Sequence, residues 1–350
     1  MRAMQLQRPA RAEDRPLSLV ETAVPEPGDD EVRIRIRACG VCHTDLHEVE
    51  GDLPLPRLPL IPGHEIVGVV DKLGSKAPGP DTGTVVGVPW LNWTCGRCRY
   101  CRSGRENLCE RIRFTGYSVD GGYAEYAVVP SGFCYPLSDS LDPIEAAPLL
   151  CAGVIGYRAL RLAGVHGPGS TRSSLESSTT RTPGPLRLGL YGFGASAHIC
   201  LQIARHWNCR TAVFTRADKH KQLARGLGAD WVGEAGEDPP WPLDSSIAFA
   251  PAGDIVPKAL RMLDRAGTLA LAGIHMSPIP EMPYDLIYHE RTVRSVANST
   301  RQDVRDLLRL AVEVPIRTTV EEYPLEQAND ALLAVKHSRT EAAAVLKVGG

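Results

Sequence analysis

The stretch Leu186-Arg187-Leu188-Gly189-Leu190-Tyr191-Gly192-Phe193-Gly194-Ala195-Ser196-Ala197-His198 decides the fold. Leu186 to Tyr191 is a short apolar run of strand length, and Ala195 to Trp207 has the spacing of a helix. Gly192-x-Gly194-x-x-Ala197 lies between them. Gly192 allows the tight turn out of the strand, Gly194 lets a pyrophosphate approach the backbone, and small Ala197 lets the helix pack closely. The helix N-terminus then faces the phosphate charge. The glycine pattern alone is common; a strand before it and a helix behind it give it its dinucleotide-binding meaning.

Downstream, elements alternate. Strands are expected at Thr211 to Thr215, Ile247 to Phe249 and Thr268 to Ala272, with helices at Asp218 to Leu227 and Ile255 to Leu263. This rhythm predicts a parallel sheet covered on both faces. Upstream, the first third is β-rich. Val32-Arg33-Ile34-Arg35-Ile36-Arg37-Ala38 alternates apolar and charged residues, and Ile66 to Val70, Val85 to Val88 and Tyr123 to Val129 read as strands. Glu145 to Ala163 reads as a helix with a break around Gly153 and Gly156. The tail adds helices at Arg301 to Ala311 and Leu325 to Val335 and a strand at Ala343 to Val348. His166 to Arg187 is mostly Ser, Thr, Gly and Pro, and is expected to be a mobile surface loop.

A length of 350 residues suits about two domains. Hydrophobic residues at 43% and charged residues at 23% are ordinary for a globular protein, and a net charge of −2 gives no general attraction to nucleic acid or anionic membrane. No apolar run approaches the roughly 20 residues of a membrane span. The charged N-terminus lacks a signal-peptide centre, so a cytoplasmic location is expected. There thiols stay reduced, and the ten cysteines read as ligands or buried groups.

Cys95-x2-Cys98-x2-Cys101-x7-Cys109 can close a tetrahedral thiolate shell around Zn²⁺, with no position left for substrate. Arginines crowd this loop, but few aromatics stand among them for base stacking. A second group, Cys42-His43-Thr44-Asp45-Leu46-His47, is followed by Gly63-His64-Glu65 and by a distant Cys151. Cys42, His64 and Cys151 would leave a fourth position open, the catalytic pattern, although spacing alone does not select them.

Gly40-Val41-Cys42-His43-Thr44-Asp45, Gly63-His64-Glu65, the four-cysteine loop and the later Gly-x-Gly run resemble zinc-dependent medium-chain alcohol dehydrogenases over nearly the whole chain. Gly192 to His198 and Cys151 to Leu162 are most similar to a bacterial cinnamyl- or propanol-type branch. The resemblance implies an α/β protein: a GroES-like β-rich catalytic domain (residues 1–155 and 297–350) and a Rossmann doubly wound parallel sheet (156–296), with 166–187 an insertion. Substrate would bind in the cleft between them.

It implies two zinc ions, a catalytic one on Cys42, His64 and Cys151 and a structural one on Cys95, Cys98, Cys101 and Cys109. Asp45 would orient His64, and Glu65 would stand behind the ligands. Thr44 would take the alcohol proton and His47 pass it to solvent. His43 would contact the cofactor pyrophosphate; simple exposure is its bland alternative. Gly192, Gly194 and Ala197 would cradle the dinucleotide, and Arg301 would bind its pyrophosphate. Thr215-Arg216, with Lys219 nearby, stands where an acid would select NAD, which favours NADP over NAD. Asp218 competes for the ribose, but reads better as a helix cap. Trp90 would wall the substrate channel, Trp93 less clearly so. Cys39, Cys134, Cys200 and Cys209 read as small buried groups, and His198 as packing or capping. The expected substrate is a small primary alcohol or aldehyde, and the expected assembly a homodimer or homotetramer. A polyol or amino-alcohol dehydrogenase of the same fold is the alternative, and a non-catalytic zinc-ribbon binding protein the distant one.

Overall fold

The computed structural model describes residues 1–167, 184–314 and 316–349. It divides into two compact units, Met1–Val154 with Asn298–Gly350, and Ile155–Ala297.

The first unit is built on a seven-stranded sheet in the order Val320–Pro324, Ala343–Lys347, Glu31–Val41, Glu65–Leu73, Val85–Val88 and Tyr135–Pro136, with Tyr126–Pro130 also paired to Glu31–Val41. The alternation read in Val32 to Ala38 holds. Val32, Ile34 and Ile36 enter the core, while Arg33 stays on the other face, donating through Nε and Nη2 to Asp71 at 3.0 Å. Ala343–Lys347 lies antiparallel to Glu31–Val41, with Ala344 opposite Val41 and Lys347 opposite Ala38. Both chain ends are therefore needed to complete this sheet, since either alone leaves an unpaired edge.

The second unit carries a six-stranded sheet, parallel throughout, in the order Trp231–Gly233, Arg210–Phe214, Arg187–Tyr191, Leu243–Ala248, Leu263–Leu271 and Thr292–Ser295. In chain order this is the doubly wound 3-2-1-4-5-6 arrangement. Leu188, Leu190, Ile247 and Leu269 are fully buried, each worth about 1.5–3 kcal/mol of transfer free energy. The strand order reverses beside Arg187–Tyr191, so the loop leaving that strand opens at the switch point where such sheets bind ligands.

Several boundaries differ from the sequence pattern. The strand expected from Ile247 starts at Leu243, because Ser245 and Ser246 are buried in it, and Ser245 Oγ donates to the Ala163 carbonyl at 2.6 Å. The edge strands Trp231–Gly233 and Thr292–Ser295 are too short to leave a periodic signal, and the second is exposed along its whole length. The interruption in the long helix falls at Cys151, between the 3-10 turn Ala147–Leu150 and the helix Ala152–Leu162, not at Gly153 or Gly156.

Of the insertion read at 166–187, residues 168–183 lie outside the described residues. Its limit at Arg187 is corrected: Arg187 opens the first strand of the parallel sheet, and its backbone N and Nε donate to Asp244 at 2.8 and 3.0 Å. Among the described residues, no helix is long and apolar enough to cross a membrane.

Candidate active site

The first helix, His43–Glu50, starts at Cys42, whose Sγ accepts from the Thr44 N–H at 3.2 Å. The reciprocal half of this capping box is Asp45, with Oδ2 accepting from the Cys42 N–H at 2.8 Å. The other Asp45 oxygen, Oδ1, accepts from His64 Nδ1 at 3.0 Å. One fully buried carboxylate therefore holds the helix start and the imidazole together. With its proton on Nδ1, His64 turns Nε2 toward Cys42 Sγ, 3.2 Å away. Cys151, at the non-helical residue before Ala152–Leu162, completes the group. Ligand atoms of Cys42, His64, Glu65 and Cys151 all lie within 4.8 Å of one another.

Glu65 thus stands within the cluster and offers a carboxylate oxygen to the same point. Room for it is made by Gly40, its partner across the sheet: a Cβ there would lie 1.8 Å from Glu65 Oε2. Burial pushes the Glu65 carboxyl up to about 8 and raises the Cys42 thiol well above its ordinary range. Burial works to lower the His64 imidazole, but its neighbours Asp45 and Cys42 outweigh that and raise it well above its ordinary value. A metal-free cluster therefore keeps its protons at neutral pH, and a cation must displace them. Two thiols and an imidazole fixed through its far nitrogen form a donor set suited to Zn²⁺.

Trp90 is buried and meets the His64 ring edge-on, with centroids 4.6 Å apart. Phe114 stacks on Trp90 at 4.8 Å, and Tyr117 follows at 5.8 Å, its hydroxyl donating to the Pro54 carbonyl at 2.7 Å. Sequence reasoning missed Phe114 and Tyr117, since only the turn between them brings both rings back to Trp90. Trp93 points elsewhere, toward the guanidinium groups of Arg111 and Arg113. Thr44 is buried, His43 is exposed, and His47 is half-buried with Nδ1 2.8 Å from Asp52 Oδ2.

The second cysteine group also converges: the sulfurs of Cys95, Cys98, Cys101 and Cys109 lie within 4.8 Å of one another. Backbone N–H groups point at them, Cys98 N at Cys95 Sγ and Arg111 N at Cys109 Sγ, both at 3.4 Å. Backbone hydrogen bonds bring the Cys95 thiol down to about 6, so it is already an anion at neutral pH. Desolvation, followed by its thiol neighbours, sends Cys101 up to about 12. Of the four remaining cysteines, Cys39, Cys134 and Cys200 are buried; Cys209 is only half-buried.

In the second unit, Gly192 ends the first strand with φ of 84°, where a Cβ would press to 3.0 Å from the Ala250 N. Gly194 caps the helix Ala195–His206, and no protein atom lies within 4 Å of where its Cβ would be. Packing within the chain does not explain glycine there, and the position is open. Ala197 is fully buried, as is His198, whose Nδ1 lies 3.3 Å from the Gly194 carbonyl. Thr215 is buried at the end of the second strand and Arg216 is exposed beyond it. Asp218 does not cap the next helix: Ala217 holds that position, and Asp218 is exposed in the first turn.

Arg301 has a partner that its sequence position does not reveal. Its Nη2 and Nε donate to Glu106 Oε2 at 2.7 and 2.9 Å, its backbone N donates to Oε1 at 2.8 Å, and the guanidinium lies 5.0 Å over the Phe133 ring. The group read as a pyrophosphate ligand also joins the cysteine loop to the helix Arg301–Glu313. Glu48 is another residue the sequence left unmarked. It is fully buried on the first helix.

Comparison with known proteins agrees with this geometry. Residues 28–139 match the alcohol dehydrogenase GroES-like domain, and residues 197–313 match the zinc-binding dehydrogenase domain. A probable alcohol dehydrogenase, AdhA, of Mycobacterium tuberculosis is 45% identical over 99% of this chain and 97% of its own. An alcohol dehydrogenase of Geobacillus stearothermophilus is 36% identical over 95% of this chain and 97% of its own. Among solved structures, a cinnamyl alcohol dehydrogenase of Sorghum bicolor superimposes with a TM-score of 0.86 at 25% identity, covering 99% of this chain and 97% of that one. Paired cysteine clusters, a strand–Gly-x-Gly–helix turn and near full-length identity to such proteins lead to one assignment: the chain belongs to the zinc-type medium-chain alcohol dehydrogenase family.

Proposed function

We propose that this chain interconverts primary alcohols and aldehydes, aliphatic or aromatic, at a zinc ion held by Cys42, His64 and Cys151, with NADP as the favoured hydride carrier. The observation that carries this reading is the convergence of those ligand atoms with Asp45 behind His64 and Trp90 against its ring. Zn²⁺ in that position supplies Lewis acidity that lowers the pKa of an alcohol oxygen. Asp45 keeps the His64 proton on Nδ1 and the Nε2 lone pair available. Thr44 Oγ1 accepts the alcohol proton. His47 relays it outward, its Nδ1 held by Asp52 so that Nε2 exchanges the proton. Glu65 offers a further carboxylate beside the ligands. Trp90 excludes water and favours flat or slender substrates.

The nicotinamide coenzyme, supplying the hydride acceptor, would lie along Gly192, Gly194 and Ala197, with His43 toward its phosphates. Thr215 and the exposed Arg216 favour a 2′-phosphate. A second zinc on Cys95, Cys98, Cys101 and Cys109 would be structural. The reading includes a reducing, cytoplasmic setting, which cysteines outside any disulfide among the described residues suit. It also includes assembly as a homodimer or homotetramer, for which the exposed sheet edge Thr292–Ser295, with exposed Tyr284 and Tyr288 nearby in sequence, offers a surface.

The test is reduction of cinnamaldehyde by the zinc-loaded protein with NADPH and NADH in parallel, beside Cys42→Ser. Turnover favouring NADPH, lost in Cys42→Ser together with one zinc, is the expected result. NADH preference overturns the Arg216 assignment. Full activity and full zinc content in Cys42→Ser overturn the metal assignment.

A further inference from the structure

Two short strands on either side of the cysteine loop, Leu91–Trp93 and Arg113–Phe114, form an antiparallel ribbon. Leu91 pairs with Phe114 and Trp93 with Arg113, so Asn92 is one residue more than the partner strand can match. Such a bulge re-aims the extra side chain. Asn92 is only 3% exposed, and its Nδ2 has no hydrogen-bond partner among the described residues. A buried amide left unpaired is costly, and native structures keep few of them. The two ends of a carboxamide exchange by a half-turn, so it can offer a donor or an acceptor to whatever reaches it.

Asn92 lines a cavity of about 680 Å³ whose walls all belong to the first unit. That volume falls within the range of small-molecule sites. Trp93, Tyr126 and Ile61 give the cavity flat and apolar walls. Arg113 lines it too. Its guanidinium is exposed and lies 5.3 Å from the centre of the Trp93 ring, and no carboxylate among the described residues pairs with it. Most other charges of the cavity are engaged. Arg57 Nη2 donates to Asp120 Oδ2 at 3.3 Å, and Asp120 Oδ1 accepts from the Ile61 N–H at 3.0 Å. Asp29 accepts from Lys76 and Ser75, and Glu31 accepts from the Gly28 N–H, while Asp30 is exposed. None of Cys42, His64, Glu65 and Cys151 lines this cavity.

We propose that the cavity is a second, non-catalytic site that binds a small organic monocarboxylate with a flat or apolar body. Arg113 supplies the positive charge, and a guanidinium bonds a carboxylate more strongly than a neutral acceptor. Asn92 and Arg113 are neighbours across the ribbon, within reach of one carboxylate, so the Asn92 amide donates the second hydrogen bond. The body of the ligand lies against Trp93, Tyr126 and Ile61. One guanidinium and one amide match a single negative charge. A doubly charged phosphate would turn its second charge toward Asp29, Asp30 and Glu31, which also line the cavity.

The test is titration calorimetry of the zinc-loaded protein with benzoate, neutral benzamide and phenyl phosphate. Benzoate should bind once per chain, and the other two more weakly. Asn92→Leu, which fills the place without a donor, should weaken benzoate by about 10-fold or more, and so should Arg113→Met. Arg113 is exposed, so Arg113→Met keeps the test open if Asn92→Leu does not fold. Cys42→Ser, which alters the metal cluster, should leave benzoate affinity unchanged. Benzoate binding lost in Cys42→Ser but kept in Asn92→Leu and Arg113→Met would place the carboxylate on the metal and overturn the proposal. Absence of saturable binding, equal affinity for benzamide or tighter binding of phenyl phosphate would overturn it as well. None of these outcomes bears on the alcohol dehydrogenase reading, which the turnover assay tests separately.

Discussion

Asp45→Asn separates the two tasks of one carboxylate. The charged side chain accepts from Cys42 N with one oxygen and from His64 Nδ1 with the other. Asparagine has a single acceptor oxygen, so its amide N–H₂ must face one of those two groups. If it faces His64, the imidazole moves its proton to Nε2 and loses the lone pair a metal needs. If it faces Cys42 N, that buried donor is stranded and the capping box opens. The site is fully buried, so neither cost is relieved by water. A stranded buried donor costs about 1–3 kcal/mol. Loss of the carboxylate behind a ligating histidine weakens metal binding by about 10- to 100-fold, or about 1.4–2.7 kcal/mol. Chelator competition should therefore resolve one zinc class weakened by that factor and a second class unchanged, the latter from the cysteine loop. Thermal melts in excess chelator should report the capping loss separately. Wild-type zinc affinity together with a wild-type melt in Asp45→Asn would refute the reasoning.

His198 and Gly40 give two further tests. Burial pushes the His198 imidazole down to about 4 from an ordinary value of 6.5. A depressed histidine stabilises the fold fully above pH 6.5, and this contribution is lost as pH falls toward 4, reaching about 3 kcal/mol at most. His198→Leu should therefore lose less stability than the wild type between pH 7 and pH 4.5, compared by denaturant melts; equal losses would remove His198 as the cause. In Gly40→Ala, the new methyl group lands on the Glu65 carboxylate and should cost about 1–3 kcal/mol and a share of the bound zinc. The Gly40→Ala, Glu65→Ala double variant should recover stability; an additive loss would show that Glu65 is not what glycine makes room for.

Much of this protein is written locally. The run Val32 to Ala38 fixes its strand because an alternation of period two has one way to face a core. Gly192 to Ala197 marks its turn because φ of 84° and close helix packing restrict the residue types there. The four-cysteine spacing is legible because its donors sit on one loop, where chain connectivity already limits their separation.

What sequence alone left open depends on residues far apart in the chain. Cys151 joins Cys42 and His64 only because a helical break delivers it there, and Phe114 and Tyr117 join Trp90 only after the chain turns back. The strand containing Ser245 and Ser246 looks too polar until Ala163 supplies a carbonyl for one hydroxyl. Arg301 carries a charge suited to phosphate, and only the fold shows that Glu106, distant in sequence, also pairs with it. Glu48 looks like one more surface acid on a helix, and only the folded chain makes it a buried one. Sequence determined the elements and the donor types, because these follow from local sterics and side-chain chemistry. Tertiary structure decided which donors meet, which charges are already paired and which buried amide is left without a partner, because burial and distance are properties of the assembled chain.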